Sequence, residues 1–145
     1  MKTKFTIHYF NEKCSFTLKG KKNTSAWLTK VLEKEGKAAG EINYIFCNDA
    51  YLVQLNNTHL QHNTYTDIIT FDYSEKLSQT VASDIYISVE RVKENAKVFN
   101  TSFQEELNRV MVHGVLHLCG YKDKKTEEKK EMRAKEDFYL KLISS

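Results

Sequence analysis

Between Ser102 and Gly120 the chain reads SFQEELNRVMVHGVLHLCG, with Phe103, Leu107, Val110, Met111, Gly114 and Leu118 at helical spacing. An apolar stripe of that width predicts a helix that must be covered along most of its length. Ser102 and Glu105 have the spacing of a capping box at its start, and Gly120 is placed to stop it. The rest of the chain therefore has to supply a surface for this helix to lie on.

Four short segments supply it. KFTIHYF alternates Phe5, Ile7 and Tyr9 in the period of a half-buried strand, and EINYIFCN reads as a second strand. TDIITFDY and ASDIYISV are rich in β-branched and aromatic residues and read as two more. Helices fill the gaps. TSAWLTKVLEKEGKAAG carries the stripe Trp27, Leu28, Val31 and Leu32, with Thr24 or Ser25 as cap and Gly36 or Gly40 as its end. NDAYLVQLNN is a short helix capped by Asn48 or Asp49, and SVERVKENAKVF one capped by Ser88, with Val89, Val92, Ala96 and Phe99 on one helical face. A last helix runs from about Thr126 to Ile143. Strands and helices mix without strict alternation, which predicts an α+β fold: a small mixed sheet of about four strands packed with about five helices.

The 145 residues suit one domain, spanning 1–145. Neither a signal peptide nor a membrane span is expected, because no apolar run is long enough, so the expected location is the cytoplasm. Cys14, Cys47 and Cys119 share no CxxC spacing, which argues against a disulfide frame or a cysteine metal site. A net charge of +3 permits contact with nucleic acid but falls short of a strongly basic footprint. The lysine-dense KDKKTEEKKEMRAKED has acidic residues mixed in and reads as a solvated helix face.

The chemistry concentrates in HGVLHLCGYKD, from His113 to Asp123. His113 and His117 are four apart and share a helix face, close enough for both imidazoles to reach one ion. Gly120 lets the chain reverse and bring Asp123 back towards them. Two neutral imidazoles and one carboxylate, with a fourth position open, suit a catalytic Zn²⁺, and Ni²⁺ or Mn²⁺ would also be accepted. The metal site is thus expected at the end of the central helix, with one divalent ion per chain. A zinc protease of HExxH type keeps a glutamate as general base where this chain has Gly114. Glycine cannot take a proton, and peptide hydrolysis needs one for the leaving amine. Phosphodiester cleavage depends more on charge stabilisation and placement, so Gly114 turns the reading from protease to phosphodiesterase.

These residues resemble the YbeY family of bacterial endoribonucleases, whose signature is HGxLHLxGYDH. His113, Gly114, Leu116, His117, Leu118, Gly120 and Tyr121 match it, while LNNTHLQHNTYTDIITF (Leu55 to Phe71) and ASDIYIS (Ala82 to Ser88) are similar to two further family segments. The resemblance implies an α+β fold, a zinc-type ion, and single-stranded RNA as substrate. It also implies maturation of the 3′ end of small-subunit ribosomal RNA, ribosome quality control, and small-subunit particles as partners.

The sequence departs from the family pattern in three places. Asp123 takes the position of a histidine ligand, Ser83 replaces the glycine of GDI, and Leu60 occupies the place of an arginine implicated in RNA cleavage. His59 or His62 could supply the missing charge. Asp67, with Thr66, either faces the metal cleft or ties down the preceding loop, and Asp84 has the same two readings. His59, His62 and Asp67 are therefore the catalytic candidates beside the ligands. A metalloprotease-like hydrolase and a non-catalytic ribosome-assembly factor with a structural metal are the alternatives.

Overall fold

The computed structural model describes residues 7–56, 66–75 and 79–143. His59, Leu60 and His62 lie outside the described residues. The element order is β1 (Ile7–Asn11), α1 (Lys21–Lys34), β2 (Ala38–Cys47), α2 (Asp49–Leu55), β3 (Ile68–Asp72), β4 (Thr80–Ser88), α3 (Val89–Val98), α4 (Phe103–Leu118) and α5 (Thr126–Ile143). The four strands form one mixed sheet in the order β1-β2-β4-β3, parallel except for the antiparallel β3–β4 pair. This is the α+β fold expected from the sequence, with four strands and five helices among the described residues. None of these helices is long and apolar enough to cross a membrane.

The two faces of the sheet are covered differently. Ile42, Tyr44 and Phe46 of β2 and Ile85 and Ile87 of β4 are buried in the main core with α1, α4 and α5. On the other face Leu52 of α2 packs with Cys47, Ile69 and Tyr86 in a smaller cluster. Because α4 lies between the sheet and its helical neighbours, Val112, Val115 and Leu116 are buried as well as Leu107, Val110, Met111, Gly114 and Leu118 of the predicted stripe, while Phe103 is half-buried against the core. Burial around most of the helix is the signature of a central element. The Tyr44 hydroxyl donates to the Met111 carbonyl at 2.9 Å, and Trp27 Nε1 donates to the Tyr139 carbonyl at 2.8 Å, so these two polar groups carried into the core are satisfied.

One local expectation is corrected, and of the two glycines offered as the end of α1 the structure selects Gly36. Neither Thr24 nor Ser25 caps α1: the helix begins at Lys21 behind Gly20 in the left-handed conformation, and both residues are buried within it. Ser25 there hydrogen-bonds the Tyr9 hydroxyl at 2.8 Å. Gly36, with φ +77°, lies just beyond the end of α1, and Gly40 lies inside β2 instead. A Cβ on Gly40 would stand 2.9 Å from the Val81 carbonyl oxygen, beside a register shift between Ala39 and Ile42, so close strand approach explains this glycine. The other caps hold. Asn48, Ser88 and Ser102 each accept a backbone N–H in the first turn. The Glu105 carboxylate accepts from the Thr101 hydroxyl at 2.7 Å.

Candidate active site

α4 runs into its site through a built turn. Gly120 N donates to the His117 carbonyl at 3.1 Å and Tyr121 N to the Leu116 carbonyl at 3.1 Å. Gly120 takes φ +108°, a conformation costly for other residues, and this reverses the chain as the motif predicted. The turn is anchored further along, where the Tyr121 hydroxyl donates to Glu35 Oε1 at 2.8 Å. Asp123 is thereby returned to α4, and its Oδ2 lies 3.2 Å from His113 Nε2.

A cavity of about 920 Å³ opens along α4 between β3 and α5. His113, His117 and Asp123 all line it, and so do Thr66 and Asp67 at the entry to β3. Among the described residues, no three His, Cys, Asp or Glu side chains converge as a ready-made ion cage. His113 and Asp123 meet, and His117 lies one turn along the same wall. Two nitrogen donors and one carboxylate facing one cavity match the donor preferences of a zinc-type ion.

Glu136 of α5, which sequence reasoning missed, completes the setting. It is 5% exposed, and its Oε2 lies 2.7 Å from His113 Nδ1. A carboxylate on Nδ1 favours the tautomer with the proton there and leaves Nε2 free to bind a metal. Glu136 Oε1 accepts from Arg109 at 2.9 Å, and Arg109 also donates to Asp137 at 2.7 Å. Its only sequence signal is a charge on the buried stripe of α5 with Met132 and Tyr139, a position that requires a partner.

The electrostatics follow from this crowding. Burial opposes the His113 imidazolium, but the hydrogen bond and charge of Glu136, with Asp123 and Asp67, outweigh it and raise the pKa above 6.5. Burial raises the Asp67 carboxyl above its ordinary value, against the pull of His113 and with the push of Glu136 and Asp123. Glu106, also on the cavity wall, is raised by burial and by Asp67.

The other expectations divide. Thr66 does both things allowed for it, lining the cavity and donating to the Ile68 carbonyl at 3.4 Å. Asp84 is bound instead to Asn43 at 3.0 Å and Tyr73 at 3.4 Å, on the sheet face away from α4. Gly114 points into the core: a Cβ there would meet Ile68 Cδ1 at 3.0 Å and two Ile85 atoms at 3.4 Å. Lys129, Lys130 and Arg133 of the lysine-dense segment are exposed, as a solvated helix face requires, and they also line the cavity opposite β3.

A sequence model of one family, described as endoribonuclease YbeY, matches residues 7–144. The chain belongs to the YbeY family. The endoribonuclease YbeY of Flavobacterium psychrophilum is 51% identical over 134 residues, covering 92% of this chain and 94% of that protein. The YbeY of Cytophaga hutchinsonii is 48% identical over 137 residues, covering 94% and 95%. Among solved structures, the solution structure of a Thermotoga maritima protein superposes with a TM-score of 0.65 at 30% identity, covering 94% of this chain and 88% of that one. The YbeY match embraces the cavity and every residue described around it.

Proposed function

We propose that this protein is a metal-dependent hydrolytic endoribonuclease acting on single-stranded RNA. In this reading it matures the 3′ end of small-subunit ribosomal RNA and takes part in ribosome quality control, working on small-subunit particles in the cytoplasm. Family membership supports the nuclease class. The observation that carries the metal assignment is the meeting of His113 Nε2 and Asp123 Oδ2 at 3.2 Å in the cavity that His117 also lines.

His113, His117 and Asp123 would hold one divalent ion, with Zn²⁺ favoured and Ni²⁺ or Mn²⁺ also compatible with the donor set. Such an ion supplies charge stabilisation for a phosphodiester and makes water a stronger acid. The protein's own residues do the rest. Glu136 keeps the proton of His113 on Nδ1 and fixes the ring's direction. Asp67, with its raised proton affinity and its place on the cavity wall, is suited to take the proton of the attacking water on a carboxylate oxygen. It can then return that proton to the oxygen that leaves phosphorus. The assignment of His59 and His62 as cationic helpers to the phosphate belongs to the same proposal and rests on sequence position.

Gly114 weighs against the protease alternative for a structural reason. It faces Ile68 and Ile85 instead of the cavity, so this position offers no base to a peptide substrate. Incubating Zn²⁺-loaded protein with labelled single-stranded RNA and with casein separates the readings. RNA should be cut internally and casein left intact. Cleavage of casein alone points to the protease, and cleavage of neither points to an assembly factor with a structural ion.

A further inference from the structure

The cavity has a feature that hydrolysis at the histidines does not use. Phe99 closes α3, lines the cavity, and is nevertheless 57% exposed. An aromatic ring left in water at the mouth of a site costs stability unless something covers it. The ring is not on a loose loop. Phe99 N donates to the Asn95 carbonyl at 2.9 Å, Asn100 N to Lys97 at 3.2 Å and Thr101 N to Ala96 at 2.9 Å. Asn100 takes φ 56° to close that turn, which leads directly into α4.

The opposite wall is cationic. Lys129, Lys130 and Arg133 of α5 reach the same cavity, and Lys129 and Arg133, four apart, share a helix face. Among the described residues none of the three is ion-paired: the carboxylates of Glu136 and Asp137 are taken by Arg109. The N-terminal half of α4 lies beside the Phe99 turn, and its C-terminal half carries His113 and His117. From Glu106 to His113, both on the cavity wall, the helix rises roughly 10 Å, a distance of one or two nucleotides.

We infer that Phe99 is a stacking platform for one unpaired base of the RNA, while Lys129, Lys130 and Arg133 hold the neighbouring phosphates. This rests on the nuclease reading and gives it a means of selecting single strands. A duplex keeps its base faces stacked inside and cannot offer one to a ring on the cavity wall. The cations act on any backbone, so the preference for unpaired RNA resides in Phe99.

Fluorescence anisotropy with a short, mixed-sequence oligoribonucleotide, in chelator so that nothing is cut, tests this on the full chain. Phe99→Ala should weaken binding by about ten-fold or more. Phe99→Trp should bind as well as the parent, and both should keep its salt dependence. Lys129→Gln and Arg133→Gln should each flatten the slope of log affinity against log salt by about 0.7. An oligonucleotide lacking its bases should bind weakly and not distinguish Phe99 from alanine. Unchanged affinity in Phe99→Ala, with folding verified by circular dichroism, overturns the platform. If the parent protein itself fails to bind single-stranded RNA, the nuclease reading falls with it, a result distinct from failure of the platform alone.

Discussion

His113 Nδ1 lies 2.7 Å from Glu136 Oε2, and this contact joins the motif on α4 to a buried carboxylate 23 residues away on α5. Carboxylates that orient a metal-bound imidazole contribute about 10- to 100-fold to metal affinity. Glu136→Ala should weaken Zn²⁺ binding by that order in a competition titration with a zinc indicator. Glu136→Gln should lose less, since its amide oxygen still accepts from Nδ1. Parent-like affinity in the alanine variant would show that Glu136 serves only Arg109.

Asp123 is the one carboxylate among the three proposed ligands. Asp123→His should retain stoichiometric metal, because imidazole is a good zinc ligand, while Asp123→Ala should lose much of it. Elemental analysis of the two variants after gel filtration reads this out. Equal loss in both would remove Asp123 from the ligand set.

Gly114 is explained by packing. Alanine would gain about 1 kcal/mol of helix propensity. It would also push Ile68 Cδ1, 3.0 Å from the new methyl, towards the cavity. The two effects should leave the melting temperature of Gly114→Ala within a few degrees of the parent. Gly114→Glu has no such outlet. It drives a charge against Ile85, which is fully buried, and should cost about 3 kcal/mol or more without creating a protease. A stable Gly114→Glu variant that digests casein contradicts this account.

Glu35 gives the fold an acid-sensitive clasp. Burial raises its pKa, but hydrogen bonds from Tyr139 and Tyr121 and the charge of Lys135 outweigh burial and set it below the ordinary 4.5. A lowered folded-state pKa contributes stability that is fully present above the unfolded value and is lost as pH falls through the folded one. Stability of the parent should therefore fall from about pH 5 downwards more steeply than that of Glu35→Gln. Urea titrations at neutral and acid pH measure the difference, and parallel curves for the two proteins would show that the clasp carries no charge-dependent stability.

The sequence announces what is local. The stripe and serine cap of α4, the glycine stop after it and the alternation in the strands are each written within one element, and all are found. The start of α1 misleads because Thr24 and Ser25 look like caps, yet Gly20 opens the helix earlier and buries both. The site shows the same division. His113, His117 and Asp123 form a recognisable spacing, whereas Glu136, Arg109 and Phe99 enter the cavity only because α5 and the α3–α4 turn pack beside α4. No short-range pattern encodes such a meeting.

The central claim is that His113, His117 and Asp123 hold an ion on which RNA cleavage depends. The direct measurement follows internal cleavage of labelled single-stranded RNA by protein stripped with chelator and then given one equivalent of Zn²⁺, for the parent and for His117→Ala. Cleavage should vanish on stripping and return with the ion in the parent, while His117→Ala should neither retain the ion nor recover cleavage. Cleavage that persists in the stripped protein, or returns equally in His117→Ala, would contradict the account.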